Sequence, residues 1–111
     1  MNILVLFKLT EKWSETWFKA DQSLGCNSDK HIAIVQAHFA YMHELDGLNK
    51  LSSGGPILKD AEESEHKYVD GAMFIYKNSS VEETRNYAEN DPFVKEGVME
   101  IDFIKQFAPG I

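Results

Sequence analysis

The sequence is poor in cysteine, proline and long apolar runs, and each shortage removes a class of protein. Cys26 is the sole cysteine and lies in no Cys-x-x-Cys spacing, which excludes an intrachain disulfide framework and a cysteine-based zinc site. No apolar run exceeds five residues; the one at the N-terminus, Ile3-Leu4-Val5-Leu6-Phe7, is shorter than a signal-peptide core or a membrane span. A cytoplasmic protein without a membrane partner is therefore expected. Basic residues are also scarce, 11 against 18 acidic ones for a formal charge of -7. That balance disfavours phosphate backbones and anionic lipid, so nucleic acid is a poor partner. His31 and His66 stand at no spacing with other ligands that defines a metal site, and both are expected at the surface.

What remains is the composition of a folded protein. With 111 residues, 43% of them hydrophobic and 12% aromatic, residues 1–111 make a single domain, and the depleted, highly charged signature of disorder is missing. Residues 2–9 are rich in strand formers and apolar on both alternating sets, so both faces of this strand call for burial. Trp13 and Trp17, four apart in 10–20, predict a short helix capped by Thr10 and packed onto the body of the domain, before a loop over 21–28. From Asp29 to about Leu48, Ile32, Val35, Phe39 and Met42 form one helical stripe and Ile34, His38, Tyr41 and Leu45 the next.

A strand over 48–58 is interrupted by Ser52-Ser53-Gly54-Gly55-Pro56, where backbone freedom matters more than side chains. An acidic loop over 59–70 leads to a third strand at 72–76. Ser79-Ser80-Val81-Glu82-Glu83 carries the Ser-x-x-Glu capping-box pattern and opens a helix to about Asn90; Asp91-Pro92 starts a further turn ending near Gly97, and 98–107 closes the chain as a strand. The order is βαββαβ with an extra short helical segment after the first strand, a ferredoxin-like α+β fold. Two helices cover one face of a four-stranded sheet, while apolar residues remain for the other, so a homodimer packed sheet to sheet is expected.

Three patterns then agree in spacing: Ala37-His38, Gly55-Pro56 seventeen residues past that histidine, and Asp91-Pro92-Phe93 followed by Gly97-Val98. Together they resemble the YCII-related family, over nearly the whole chain up to Lys105-Gln106-Phe107. The resemblance implies a dimeric α/β barrel with His38 and Asp91 as a paired active site. It also implies, from relatives that dehydrochlorinate small cyclic compounds, a small-molecule substrate. Gln106 stands where the family often has proline, and the segment 11–29 matches no family motif.

Imidazole exchanges protons near neutrality, and a carboxylate bonded to one ring nitrogen fixes its tautomer. His38 as base and Asp91 as its orienter suit proton abstraction beside a carbonyl, or loss of a leaving group, with no metal or other cofactor. Tyr41, Gly55 and Pro56 are expected to border the substrate, whereas His43 is expected to face solvent. Simpler roles stand beside these. His38 suits a histidine at the core edge satisfied by one hydrogen bond, and Asp91 before Pro92 suits a helix N-cap. Gly54-Gly55-Pro56 also reads as a bulge or turn. A lyase or isomerase is thus weighed against a non-catalytic dimeric module that binds a small ligand, and against haem ligation through a histidine.

Overall fold

The first strand, β1 (Asn2–Leu9), buries Ile3, Val5 and Phe7 on one face and leaves Leu4 and Leu6 half-buried on the other. Strand period two turns the doubly apolar sequence into two unequal faces. The structure, a computed structural model, describes residues 2–16, 29–58 and 69–110. The remaining elements are α1 (Glu11–Thr16), α2 (Asp29–Gly47), β2 (Leu51–Leu58), β3 (Val69–Lys77), α3 (Val81–Glu89), α4 (Pro92–Lys95) and β4 (Met99–Phe107). The strands form one antiparallel sheet in the order β2-β3-β1-β4. This is the ferredoxin-like arrangement expected from the element order. Trp17, Cys26, His66 and the acidic stretch from Asp60 to Glu65 lie outside the described residues.

Val5, Phe7, Ala72, Phe74 and Tyr76 project from β1 and β3 toward the helices and meet Ile34, Met42, Leu45, Ala88 and Phe93. The inward stripe of α2 is His31, Ile34, His38, Met42 and Leu45, spaced three and four apart. It draws on both stripes proposed from the sequence, and leaves Ile32 and Phe39 exposed. His31 corrects the surface placement expected for it: it is fully buried, with its ring edge-on to Trp13 at 4.7 Å. Trp13 itself packs into the core from α1, and also meets Phe93 at 5.7 Å.

Two strands depart from their sequence outlines. β2 runs unbroken through Ser52 to Pro56, as an edge strand with register shifts on either side of 53–57. Its outer edge needs no proline N–H, which is why Pro56 is tolerated. In β4 the register steps between Leu6, opposite Phe103, and Phe7, opposite Ile101, so that Asp102 is an extra residue. The step sends both Ile101 and Ile104 to the core side, breaking the simple alternation.

The turns that carry the chain into the site are tightly specified. Ser80 caps α3 through a reciprocal capping box with Glu83. Asp91 caps α4 with Pro92 in its first turn. That helix closes on Gly97 at φ +75°, with the Gly97 N–H donating to Val94 O and the Val98 N–H to Phe93 O, each at 3.0 Å. Glycine is suited to this left-handed exit. Thr10 donates its hydroxyl to Gly97 O and accepts from the Lys12 N–H, tying the start of α1 to the same corner.

Candidate functional site

His38 is carried inward because it shares a helix stripe with Ile34, Met42 and Leu45; it is 4% exposed. Asp91 arrives from the opposite side, at the junction of α3 and α4, and is 1% exposed. Their side chains meet with His38 Nδ1 2.9 Å from Asp91 Oδ1. The same oxygen accepts the Phe93 N–H at 2.9 Å. Capping and orienting, which the sequence left as separate roles, are performed by one atom.

This geometry sets the chemistry of the ring. An ionised carboxylate offers only acceptors, so neutral His38 presents its Nδ1–H to Asp91 and keeps its lone pair on Nε2. Phe93 stacks on the imidazole at 3.9 Å and 14°, and Phe74 lies tilted at 5.5 Å. The ring is thereby held in position. A base that gains a proton at Nε2 thus finds its new charge met by Asp91.

His38 opens onto a cavity of about 520 Å³ between α2 and strands β2 and β3. Val35, Met42, Leu51, Phe74, Phe93 and Met99 give it apolar walls, and Trp13 borders it from α1. Polar groups reach it from His43, Asp46, Ser52 and Ser53. A few polar groups in a mostly apolar concavity suit a small organic molecule. Gly55 and Pro56 border this cavity; Asp91 stands behind His38 and does not.

Tyr41 departs from its expected place. It borders a separate shallow depression with Lys95 and Glu96, and donates its hydroxyl to Tyr87 O at 2.8 Å. Helical geometry explains this: at about 100° per residue, Tyr41 lies about 60° from His38 on the α3 side, whereas Val35, Met42 and Asp46 lie on the other. The same arithmetic carries His43 about 140° round on the cavity side. His43 is exposed yet borders the cavity, so the expectation that it merely faces solvent missed it.

Gly54 rather than Gly55 has the sterically constrained backbone. A Cβ there would lie 2.2 Å from Phe74 Cδ1 and 2.7 Å from Met73 O, while one at Gly55 would meet nothing within 4 Å. The bare Gly54 backbone lets the Phe74 ring lie across β2 and brace His38. Burial, reinforced by the charge of Asp91, pushes the Tyr41 hydroxyl up to about 12 and raises Tyr76 further, so both are neutral phenols near pH 7. Burial lowers His31 to about 4. Among the described residues no three His, Cys, Asp or Glu side chains group as a metal-ligand set.

Known proteins place this arrangement. A protein of Haemophilus influenzae, described only as uncharacterized, is 27% identical over 88 residues, covering 78% of this chain and 89% of that protein. Among solved structures, 5-chloro-2-hydroxyhydroquinone dehydrochlorinase (TftG) from Burkholderia phenoliruptrix AC1100, in complex with 2,5-dihydroxybenzoquinone, superposes with a TM-score of 0.72. It is 24% identical, with 99% of this chain and 96% of that one covered, and so supports the fold. The YCII-related domain matches residues 15–108, all three motif patterns included. With the match extending over most of its length and over both halves of the His38–Asp91 pair, the chain belongs to the YCII-related family.

Proposed function

We propose that the chain is a cofactor-independent lyase or isomerase acting on a small cyclic, enol- or carbonyl-bearing compound. The observation that carries this reading is the buried His38 Nδ1–Asp91 Oδ1 contact of 2.9 Å behind a ring that opens onto an apolar cavity. His38 accepts a substrate proton at Nε2, and Asp91 holds the tautomer and stabilises the imidazolium. The electron pair released from the substrate bond either expels a leaving group such as chloride or is protonated at another atom, with the imidazolium returning the proton. The likeness to a dehydrochlorinase bound to a dihydroxybenzoquinone makes halogenated quinols the first substrates to try. Gly55 and Pro56 line the β2 side of the binding space.

The test is a panel of small cyclic enols, lactones and halogenated quinols, read by thermal shift and product analysis, with His38→Ala as control. A compound that stabilises the wild type and is converted by it, but not by the folded His38→Ala protein, supports the assignment. Conversion retained in His38→Ala removes the proposed base. A compound bound by both proteins and converted by neither identifies a binding module instead.

We also infer that a second copy of the chain covers the sheet face away from the helices. Leu4, Leu6, Met73, Ile75 and Phe103 lie half-buried on that face, outside the core cluster. Their strand partners bring them together: Leu6 stands opposite both Met73 and Phe103, and Leu4 opposite Ile75. A contiguous apolar face of this kind is suited to isologous pairing with itself.

A further inference from the structure

The carboxylate that orients His38 is served on one side only. Asp91 Oδ1 accepts two hydrogen bonds, from His38 Nδ1 and from the Phe93 N–H. Asp91 Oδ2 is buried and has no hydrogen-bond partner among the described residues. The Tyr76 hydroxyl is in the same condition, at the end of a side chain that is fully buried. Buried polar atoms in native proteins are almost always satisfied. One of these two atoms is an obligate acceptor and the other a donor.

The fold brings the two groups to one place. Tyr76 points to the helix side of β3, two residues beyond Phe74, whose ring lies against His38. Its ring lies parallel to that of Tyr87, four residues before Asp91, with centroids 6.5 Å apart. Tyr41 closes the same space, its own proton committed to Tyr87 O. Burial first, and then the charge of Asp91, hold the Tyr76 hydroxyl protonated, so it remains a donor across the physiological range.

We propose that Tyr76 is a positioning residue whose hydroxyl donates to a bridging water that in turn donates to Asp91 Oδ2, extending the pair into a His38–Asp91–water–Tyr76 chain. The donor fixes the carboxylate plane from the side opposite the histidine. It also draws charge toward Oδ2, which weakens Oδ1 as an acceptor and keeps the Nδ1 proton on the ring. Its catalytic consequence rests on His38 being the base; the hydrogen bond itself does not, so the two can fail separately.

The experiment compares wild type with Tyr76→Phe by NMR, following the His38 Nδ1 proton. With the hydroxyl gone, Oδ1 becomes the stronger acceptor, and the proton resonance moves downfield. An unchanged resonance in a folded Tyr76→Phe protein overturns the proposal. If Tyr76→Phe does not fold, tyrosine labelled at Cζ is followed on going from wild type to Asp91→Asn. A Cζ shift at Tyr76 that exceeds the change at Tyr87 supports the bridge, and equal or absent shifts overturn it. Neither readout depends on turnover, so a compound panel without a substrate leaves this test intact.

Discussion

Asp91 holds two jobs on one oxygen, and Asp91→Asn keeps that oxygen while removing its charge. Asparagine keeps an acceptor for the Phe93 N–H, so the cap on α4 survives and the loss of stability stays below about 1 kcal/mol. The same amide oxygen still faces His38 Nδ1 and accepts its proton, so the tautomer is kept and what is lost is the negative charge that meets the imidazolium. Turnover of any substrate found for the wild type is expected to fall about 10²–10⁴-fold in Asp91→Asn. Steady-state kinetics, together with the ¹⁵N shifts of the His38 ring, check both halves. A buried histidine of another kind governs stability. His31 is lowered from 6.5 to about 4 by burial, so between those values the unfolded chain binds the extra proton and the folded one resists it. The folded state therefore loses stability as pH falls through this window, by up to about 3 kcal/mol from this group. Replacing His31 by Phe is expected to flatten the difference between unfolding curves at pH 7 and pH 4.5 relative to wild type.

At the scale of elements, the parts legible in the sequence are those with strong local causes. The capping box at Ser80 and the Asp91-Pro92 start of α4 follow from side chains hydrogen-bonding to backbone within three residues. The inward placement of His38 follows from helical period, as does the four-strand order from alternation and turn residues. The missed features depend on partners remote in sequence. The buried position of His31 requires Trp13 from α1, the displacement of Tyr41 requires Tyr87 on α3, and the extra residue at Asp102 becomes visible only when β4 is laid against β1. Gly54 belongs with them, because what excludes a side chain there is Phe74 of the neighbouring strand. Gly54→Ala forces that ring or the β2 backbone to move, and is expected to cost about 1–3 kcal/mol in denaturant unfolding. Since Phe74 also braces His38 at 5.5 Å, the His38 ring resonances should shift in the same variant. A folded Gly54→Ala protein with unchanged stability and unchanged His38 resonances would show that β2 absorbs the methyl group without moving Phe74.

For the whole molecule, the two faces of the sheet have different tasks. The helix side holds the core and the cavity. The other side carries the apolar group centred on Leu6, between Met73 and Phe103. Lys105 already sets its ammonium 5.1 Å from the Phe103 ring centre, so charge is tolerated at the margin of this face but not at its middle once two copies meet. Leu6→Lys places a cation at that middle, at a position half-exposed within one chain, so the subunit fold should survive while the pairing does not. Light scattering is expected to give the mass of two chains for wild type and of one for Leu6→Lys, with unchanged far-ultraviolet circular dichroism. The wild-type melting temperature should rise with protein concentration, whereas that of Leu6→Lys should not. Because the cavity lies on the helix side of the sheet, away from this face, a ligand found for the wild type should still bind the Leu6→Lys monomer. A single-chain mass for wild type, or a two-chain mass for Leu6→Lys, would assign this face to something other than a second copy.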